Sequence, residues 1–380
     1  MSAVALVRCE SYDQAAVAAA VERGLELLGG AEQFVRTGER ILLKPNLLSA
    51  DPPEKCVTTH PAVFKAAAEA LRSAGAQLSY GDSPGFGSTE AAARKAGIAA
   101  VAAELNLPMA DFHQGREVVC EEGMQNKKFI IANGVLDSDG IVSLPKLKTH
   151  GLTRLTGCIK NQFGCIPGLL KGEYHVKLPE VQDFARMLAD LNVLLKPRLF
   201  IMDGIMAMEG NGPRGGRPKA MNVLLFSSDP VPLDATVCRM VGVKPETVPT
   251  IEAGMRAGLG SCLSENISLL GDPWESFADQ SFDVHRDGSQ SGRKIPQSRL
   301  LKNLILARPF INEEKCVRCG VCVNVCPVIP KVLSWQEEDK SRPPIYDYSR
   351  CIRCFCCQEL CPESVIDIKK PLLRRCLDRF

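Results

Sequence analysis

No stretch of this 380-residue chain approaches the roughly 20 consecutive apolar residues that a membrane-spanning helix needs. Charge of one sign is lacking too. With 46 Lys and Arg against 44 Asp and Glu, the net charge is +2, and no global field draws the chain to nucleic acid or an anionic membrane. The first ten residues contain no basic leader, no long apolar core and no twin-arginine pair, which argues against export. A cytoplasmic protein is therefore expected, with residues 3–8 as a first strand. Compositional bias is absent as well: 45% hydrophobic, 24% charged, 31 Gly and 25 Pro are ordinary globular usage, which excludes a disordered or collagen-like chain. The length suits about two domains.

Cysteine, by contrast, is abundant and unevenly placed. Of 17, ten lie between Cys316 and Cys376. A secreted disulfide scaffold would be short and Cys-dense throughout, so a local cluster in a cytoplasmic chain points to metal. The spacing is specific: Cys316-x2-Cys319-x2-Cys322-x3-Cys326-Pro327, repeated as Cys351-x2-Cys354-x2-Cys357-x3-Cys361-Pro362. In such a run three thiolates take three corners of one [4Fe–4S] cube, and the fourth Cys serves the other cube. The expected ligands are Cys316, Cys319, Cys322 and Cys361 for one cluster, and Cys351, Cys354, Cys357 and Cys326 for the second. Structural zinc uses two ligand pairs across a longer gap, not a duplicated four-Cys run. Cys356 and Cys376 are left as bystanders.

Before this region, strand-like and helix-like runs alternate. Strands are expected near residues 3–8, 40–43, 77–81, 140–144, 198–202, 221–226 and 267–270. Helices are expected near 13–28, 61–74, 89–103, 180–195, 232–241 and 252–258. Such alternation predicts an α/β fold, a mostly parallel sheet with helices on both faces, plus a small α+β ferredoxin-like C-terminal domain. The division expected is 1–271 for the α/β domain, 272–300 for a linker and 301–380 for the ferredoxin-type module. From Arg308 onward, 13 Lys and Arg against 10 Asp and Glu mildly favour a tethered module over a soluble carrier.

Polar residues recur where parallel strands should end, the usual ligand side of such sheets. Lys44 and Asn46 follow the second strand. Asp82 opens a Gly-containing loop, Gly81-Asp82-Ser83-Pro84-Gly85, that runs into a helix and either cradles an anion or merely turns the chain. Lys146, Lys148 and His150 stand at alternate positions of an extended segment and are expected to project together. Lys160, Asn161, Lys171, His175 and Lys177 follow. A cationic group of this kind suits a carboxylate or phosphate, with His150 or His175 moving a proton; the alternative is a solvated basic loop. Asp203 ends a later strand and leads to the Gly-rich residues 209–216, either a flap over a ligand or an ordinary surface turn. Asp229 and Asp234 read as helix caps, and Cys158 and Cys165 as buried thiols.

In order along the chain, Lys44-Pro45-Asn46, Gly81-Asp82-Ser83-Pro84-Gly85, Pro145-Lys146-Leu147-Lys148-Thr149-His150, Lys160-Asn161, Asp203-Gly204 and Asp229-Pro230 resemble the domain-of-unknown-function family numbered 362. The resemblance covers most of residues 1–270 and implies an iron–sulfur protein of α/β fold, often with a two-cluster ferredoxin module; it implies no particular reaction. Two functions follow. One is a reductase passing electrons through two [4Fe–4S] clusters to a small anionic substrate or second cofactor. Its catalytic residues would be His150, His175, Lys146 and Lys148, and its substrate-binding residues Lys44, Asn46, Asp82, Lys160, Asn161 and Asp203. The other is an electron-transfer adaptor that docks the clusters to a redox partner protein. The first calls for a concave pocket, the second for a shallow basic surface.

Overall fold

The computed structural model describes residues 1–168, 170–286, 306–336, 339–369 and 371. Strand β1 (Ser2–Arg8) shows why the sheet is covered on both faces. Its side chains alternate across the pleat: Val4 and Leu6 enter one core, Ala5 and Val7 the other. The chain continues through α1 (Gln14–Leu27), β2 (Arg40–Pro45), α2 (Pro61–Ser73), β3 (Gln77–Tyr80), α3 (Thr89–Lys95) and α4 (Ile98–Glu104). Local chemistry sets these boundaries. The Asp13 carboxylate accepts from Ala16 N at the start of α1, and Ser88 Oγ accepts from Ala91 N at the start of α3. The helix expected over 89–103 is two helices, because Gly97 sits at φ 77°, a left-handed conformation that ends the first.

A hairpin of β4 (Gly115–Val119) and β5 (Lys128–Ala132) precedes the single turn α5 (Asn133–Leu136) and β6 (Gly140–Leu144). Next come β7 (Lys146–His150), β8 (Arg154–Thr156), α6 (Cys158–Asn161), α7 (Leu170–Lys177) and α8 (Val181–Leu195). The domain finishes with β9 (Leu199–Glu209), β10 (Arg217–Ser227), α9 (Pro230–Met240), α10 (Pro249–Arg256) and β11 (Ile267–Gly271).

Among the described residues the sheet has nine strands in the order β11-β1-β10-β9-β6-β2-β3, with β7 against β9 and β8 against β7. The pairs β11–β1, β9–β6, β6–β2, β2–β3 and β7–β9 are parallel. Strand β10 runs antiparallel to both its neighbours. The mostly parallel α/β sheet expected from the sequence is what the chain forms. On one face Val21, Phe64, Leu71 and Ile98 bring α1, α2 and α4 onto the sheet; on the other, Phe184, Leu188, Val231 and Ile251 bring α8, α9 and α10. Each such side chain stabilises the fold by about 1.5–3 kcal/mol on burial.

The segment beginning at 272 starts as part of this domain, not as a linker. Asp272 accepts from Arg8 N (2.8 Å) and from the Arg23 guanidinium (3.0 Å), and Phe277 and Phe282 are buried in the core. The rest of the expected linker, with the expected domain start at 301, falls in residues 287–305, outside those described. The C-terminal module pairs β12 (Arg308–Ile311) with β15 (Ile366–Lys369), and β13 (Leu333–Ser334) with β14 (Ile345–Tyr346), both antiparallel. The short helices α11 (Val321–Asn324) and α12 (Cys356–Glu359) follow the two cysteine loops. It is the small α+β unit expected.

Candidate functional site

Two small cavities in the C-terminal module sort its thiols. One is lined by Cys316, Cys319, Cys322 and Cys361, with Pro362 beside them. The other is lined by Cys326, Cys351, Cys354 and Cys357, with Pro327 beside them. Each cavity thus meets three thiols of one run and the fourth of the other, the donor set of a [4Fe–4S] cube. Among the described residues no three His, Cys, Asp or Glu side chains close on a single metal ion. The Tyr346 hydroxyl donates to Cys357 Sγ at 3.3 Å, the sort of outer contact that orients a ligand. Cys356 lines neither small cavity; it faces a much larger one. Cys376 lies outside the described residues. Cys319 is exposed and Cys316 half-buried, whereas Cys326, Cys351 and Cys357 are buried.

The larger cavity holds about 590 Å³ and lies on the seam between the two domains. The α/β domain supplies Asn46, Asp82, Lys148, His150, Lys160, Asn161, Lys171 and His175, and the module supplies Cys326, Pro327, Cys356 and Glu359. Residues 127 positions apart in sequence, such as Asn46 and Glu173, meet here because β2, β3, β6 and β7 all end on one edge of the sheet.

Lysine chemistry dominates the wall. Lys148 is buried, and its Nζ donates to Asn46 Oδ1 (2.8 Å) and Val57 O (2.6 Å). Lys171, also buried, donates to Ile166 O (3.0 Å) and Ser83 Oγ. All four partners are neutral, so burial pushes both ammonium groups down to about 7. Half-buried Lys160 lies over the Phe163 ring at 5.6 Å and is likewise lowered by burial. Asp82 does not neutralise them, because its carboxylate is occupied by Lys44 Nζ (2.7 Å) and Leu47 N (2.7 Å). That pair packs against Gly164, where a Cβ would stand 1.7 Å from Asp82 Oδ1, so only glycine fits.

Burial pushes His150 and His175 down to about 4, against the opposing pull of the Glu359 carboxylate. His150 Nδ1 accepts from Leu152 N (3.0 Å) and Thr153 N (3.3 Å), which places the ring proton on Nε2, 3.0 Å from Glu359 Oε1. His175 stacks on Phe184 with ring centroids 4.4 Å apart. At neutral pH the acids near their working range are Lys148 and Lys171, not the imidazoles expected to carry the proton.

Lys146 does not join this site. Where it pairs with β9, its partner is Asp203, but the register jumps so that Lys148 lies opposite Met208. The irregularity turns Lys146 to a separate buried network: its Nζ donates to Asp203 Oδ2 (2.7 Å) and Tyr12 Oη (2.8 Å), while Tyr12 stacks on His60 at 3.5 Å. Asp203 is fully buried there and also accepts from His60 N (2.9 Å). Of the ten expected substrate or catalytic residues, Lys44, Lys146 and Asp203 therefore lie behind the cavity or away from it, and the other seven line it.

The Gly-rich residues 209–216 are neither a flap nor a free turn. Asn211 Nδ2 donates to Ile366 O (3.1 Å), and Gln358 Nε2 donates to Asn211 Oδ1 (2.7 Å) and Gly212 O (3.2 Å). Arg214 donates to Leu360 O (2.9 Å) and, through Nε, to Asp51 Oδ2 (2.7 Å). The loop fastens the module over the cavity. Asp234 caps α6, accepting from Cys158 N (2.8 Å) and Ile159 N (3.3 Å), whereas Asp229 makes no capping bond to α9. Cys158 and Cys165 are buried thiols whose pKa burial raises. Sequence reasoning missed Glu359, Phe86 and the cavity-facing role of Cys356, which only the docking of the module reveals.

Residues 41–239 match the family model described as domain of unknown function (DUF362), and residues 308–365 match a 4Fe-4S dicluster domain. A protein of Synechocystis sp. named thylakoid-associated protein sll1697 is 35% identical over 280 residues, which are 73% of this chain and 87% of that protein. Among the described residues no helix is long and apolar enough to cross a membrane.

Proposed function

We propose that this chain, which belongs to the domain of unknown function (DUF362) family and carries a C-terminal 4Fe-4S dicluster domain, is an iron–sulfur reductase acting on a small anionic molecule, substrate or second cofactor, held in the seam cavity. The ligands would be Cys316, Cys319, Cys322 and Cys361 for one cluster, and Cys351, Cys354, Cys357 and Cys326 for the other. When bound, the two clusters supply single low-potential electrons. One observation carries the reading: a single cavity has Lys148, Lys160 and Lys171 on one wall and Cys326 and Cys356 on the other.

The chain's own groups divide the work. Lys148, Lys160 and Lys171 attract the anion, Asn46 and Asn161 orient it, and the module excludes water. Lys148 or Lys171, each near 7, gives up the proton that accompanies reduction. His150, neutral and fixed by Leu152 N and Thr153 N, offers a hydrogen-bond donor. The exposed Cys319 side suits approach of a redox partner protein, and a reducing compartment such as the cytoplasm suits thiolate ligands. A pure adaptor would need only a shallow basic face, and the concave cavity favours the reductase. The test is anaerobic. The chain is reduced with dithionite, mixed with a panel of phosphorylated and carboxylated metabolites, and followed by the visible absorbance of the clusters. One class of anion should reoxidise them in the natural chain and fail to do so in Lys148→Met; no reoxidation by any member, with both clusters intact, contradicts the proposal.

A further inference from the structure

We infer that the seam cavity takes a phosphate monoester whose organic part is apolar, its phosphate at the lysine end and its apolar part at the mouth. This rests on the reading of the cavity as the reactive site, and names the class of ligand.

The lysine end carries excess positive charge. Lys148 and Lys171 spend their hydrogen bonds on neutral oxygens. Lys160 Nζ has no oxygen in hydrogen-bond reach among the described residues and rests on an aromatic face. On the module side Lys331 donates to the carbonyls of Asn324 and Cys326, again neutral. Glu173 and Lys177 neutralise each other at 3.0 Å, and Asp82 is paired with Lys44. Glu359 is the one lining carboxylate without a lysine partner among the described residues, and His150 Nε2 faces it. Both of those buried atoms lack a well-aligned hydrogen bond. A dianion therefore meets several lysines that no carboxylate pairs directly, Glu359 and Asp82 acting on them only through space.

The number and type of cations bear on the head group. No arginine lines the cavity among the described residues. A guanidinium fork suits carboxylate and phosphate alike, whereas separate ammonium groups act as point charges that can surround a tetrahedral oxyanion, and three of them match a phosphate dianion better than the single charge of a carboxylate.

The mouth has the opposite character. Phe86 is 44% exposed, Val176 42% and Ile329 88%, and all three line this cavity. They come from three separate segments and from both domains, so their convergence is not one amphipathic element leaking to the surface. Behind them Leu48, Phe163 and Leu360 continue the apolar wall inward. A volume of about 590 Å³ falls in the range that takes an organic molecule, and inorganic phosphate alone would leave the apolar part wet.

The test is calorimetric titration of the anaerobic, cluster-loaded, oxidised full chain with three probes: hexyl phosphate, inorganic phosphate and hexanoate. Hexyl phosphate should bind about tenfold or more tightly than either of the others, since several methylenes leave water. Ile329→Ser with Phe86→Ser should reduce that advantage to about threefold or less while leaving inorganic phosphate unchanged. Lys160→Ala, at a half-buried position whose loss does not threaten the fold, should weaken both phosphate probes. Hexyl phosphate binding no better than inorganic phosphate, or hexanoate binding best, overturns the inference. So does adsorption to phosphatidic acid vesicles without a saturable hexyl phosphate site. Because no electron moves in this titration, its failure leaves the reoxidation test standing, and failure of reoxidation leaves the binding result standing.

Discussion

Arg214 is the residue through which the two domains can be separated experimentally. Its guanidinium makes a fork on Asp51, Nε to Oδ2 at 2.7 Å and Nη2 to Oδ1 at 3.2 Å, and adds a bond to Leu360 O at 2.9 Å. The Asp51 side chain is 2% exposed and that of Arg214 12%. Burial pushes the Asp51 carboxyl up, but the bonds from Arg214 and Ser49 outweigh it and hold the group below the ordinary carboxylate value. Removing one partner of a buried pair costs about 3–5 kcal/mol. Ser49 Oγ (2.6 Å) and Lys55 Nζ (3.3 Å) stay on Asp51, which puts Arg214→Ala near the low end, about 3 kcal/mol, a loss felt within the α/β domain. The bond that crosses to the module is the one to Leu360 O, and a charged donor on a carbonyl contributes about 1.5–3 kcal/mol. That is about tenfold or more in the equilibrium for lifting the module off the cavity. Amide hydrogen exchange at residues 211–216 and 358–360 reads this directly, and should accelerate about tenfold or more while the β9 and β6 amides keep their protection. Arg214→Lys keeps the charge but not the fork, and should fall between the two. Unchanged exchange across 211–216 in Arg214→Ala would refute the assignment of this loop as the fastening.

Two further outcomes follow from the same geometry. Because burial lowers Lys148 and Lys171 to about 7, and a bound anion must raise them, affinity for inorganic phosphate should decline as pH rises above 7; below pH 7 the phosphate dianion itself takes up a proton, so affinity should pass through a maximum near neutrality. At pH 8 binding should take up protons, seen as a dependence of calorimetric heat on buffer ionisation enthalpy; no such dependence contradicts the burial of these ammonium groups. Lys146→Met should lower unfolding stability by about 3–5 kcal/mol through the stranded Asp203 yet leave phosphate affinity unchanged. Lys148→Met should weaken phosphate, and the reverse pattern in the pair would show the two lysines to be misassigned.

How far the sequence foretold this depends on the range of the interaction. Strands such as 140–144 and helices such as 61–74 are legible because periodicity, capping and Pro61 act within a turn or two. The duplicated cysteine spacing is legible because it lies within two short runs. Period two correctly joins Lys148 to His150, but it also joins Lys146, since an irregularity between Lys146 and Lys148 leaves no local mark. Residues 209–216 read as loose because they are rich in Gly, whereas Gln358, Ile366 and Leu360, some 150 positions away, order them. Glu359 opposite His150 is invisible for the same reason.

Eight thiols, four round each of two cavities and exchanged between the runs, would hold two cubanes. Iron and acid-labile sulfide determined on chain purified without oxygen decide it. About eight of each per chain are predicted, falling to about half in Cys326→Ser, with the set of Cys316, Cys319, Cys322 and Cys361 still loaded. About four irons or fewer in the natural chain, or a full complement in Cys326→Ser, would contradict it.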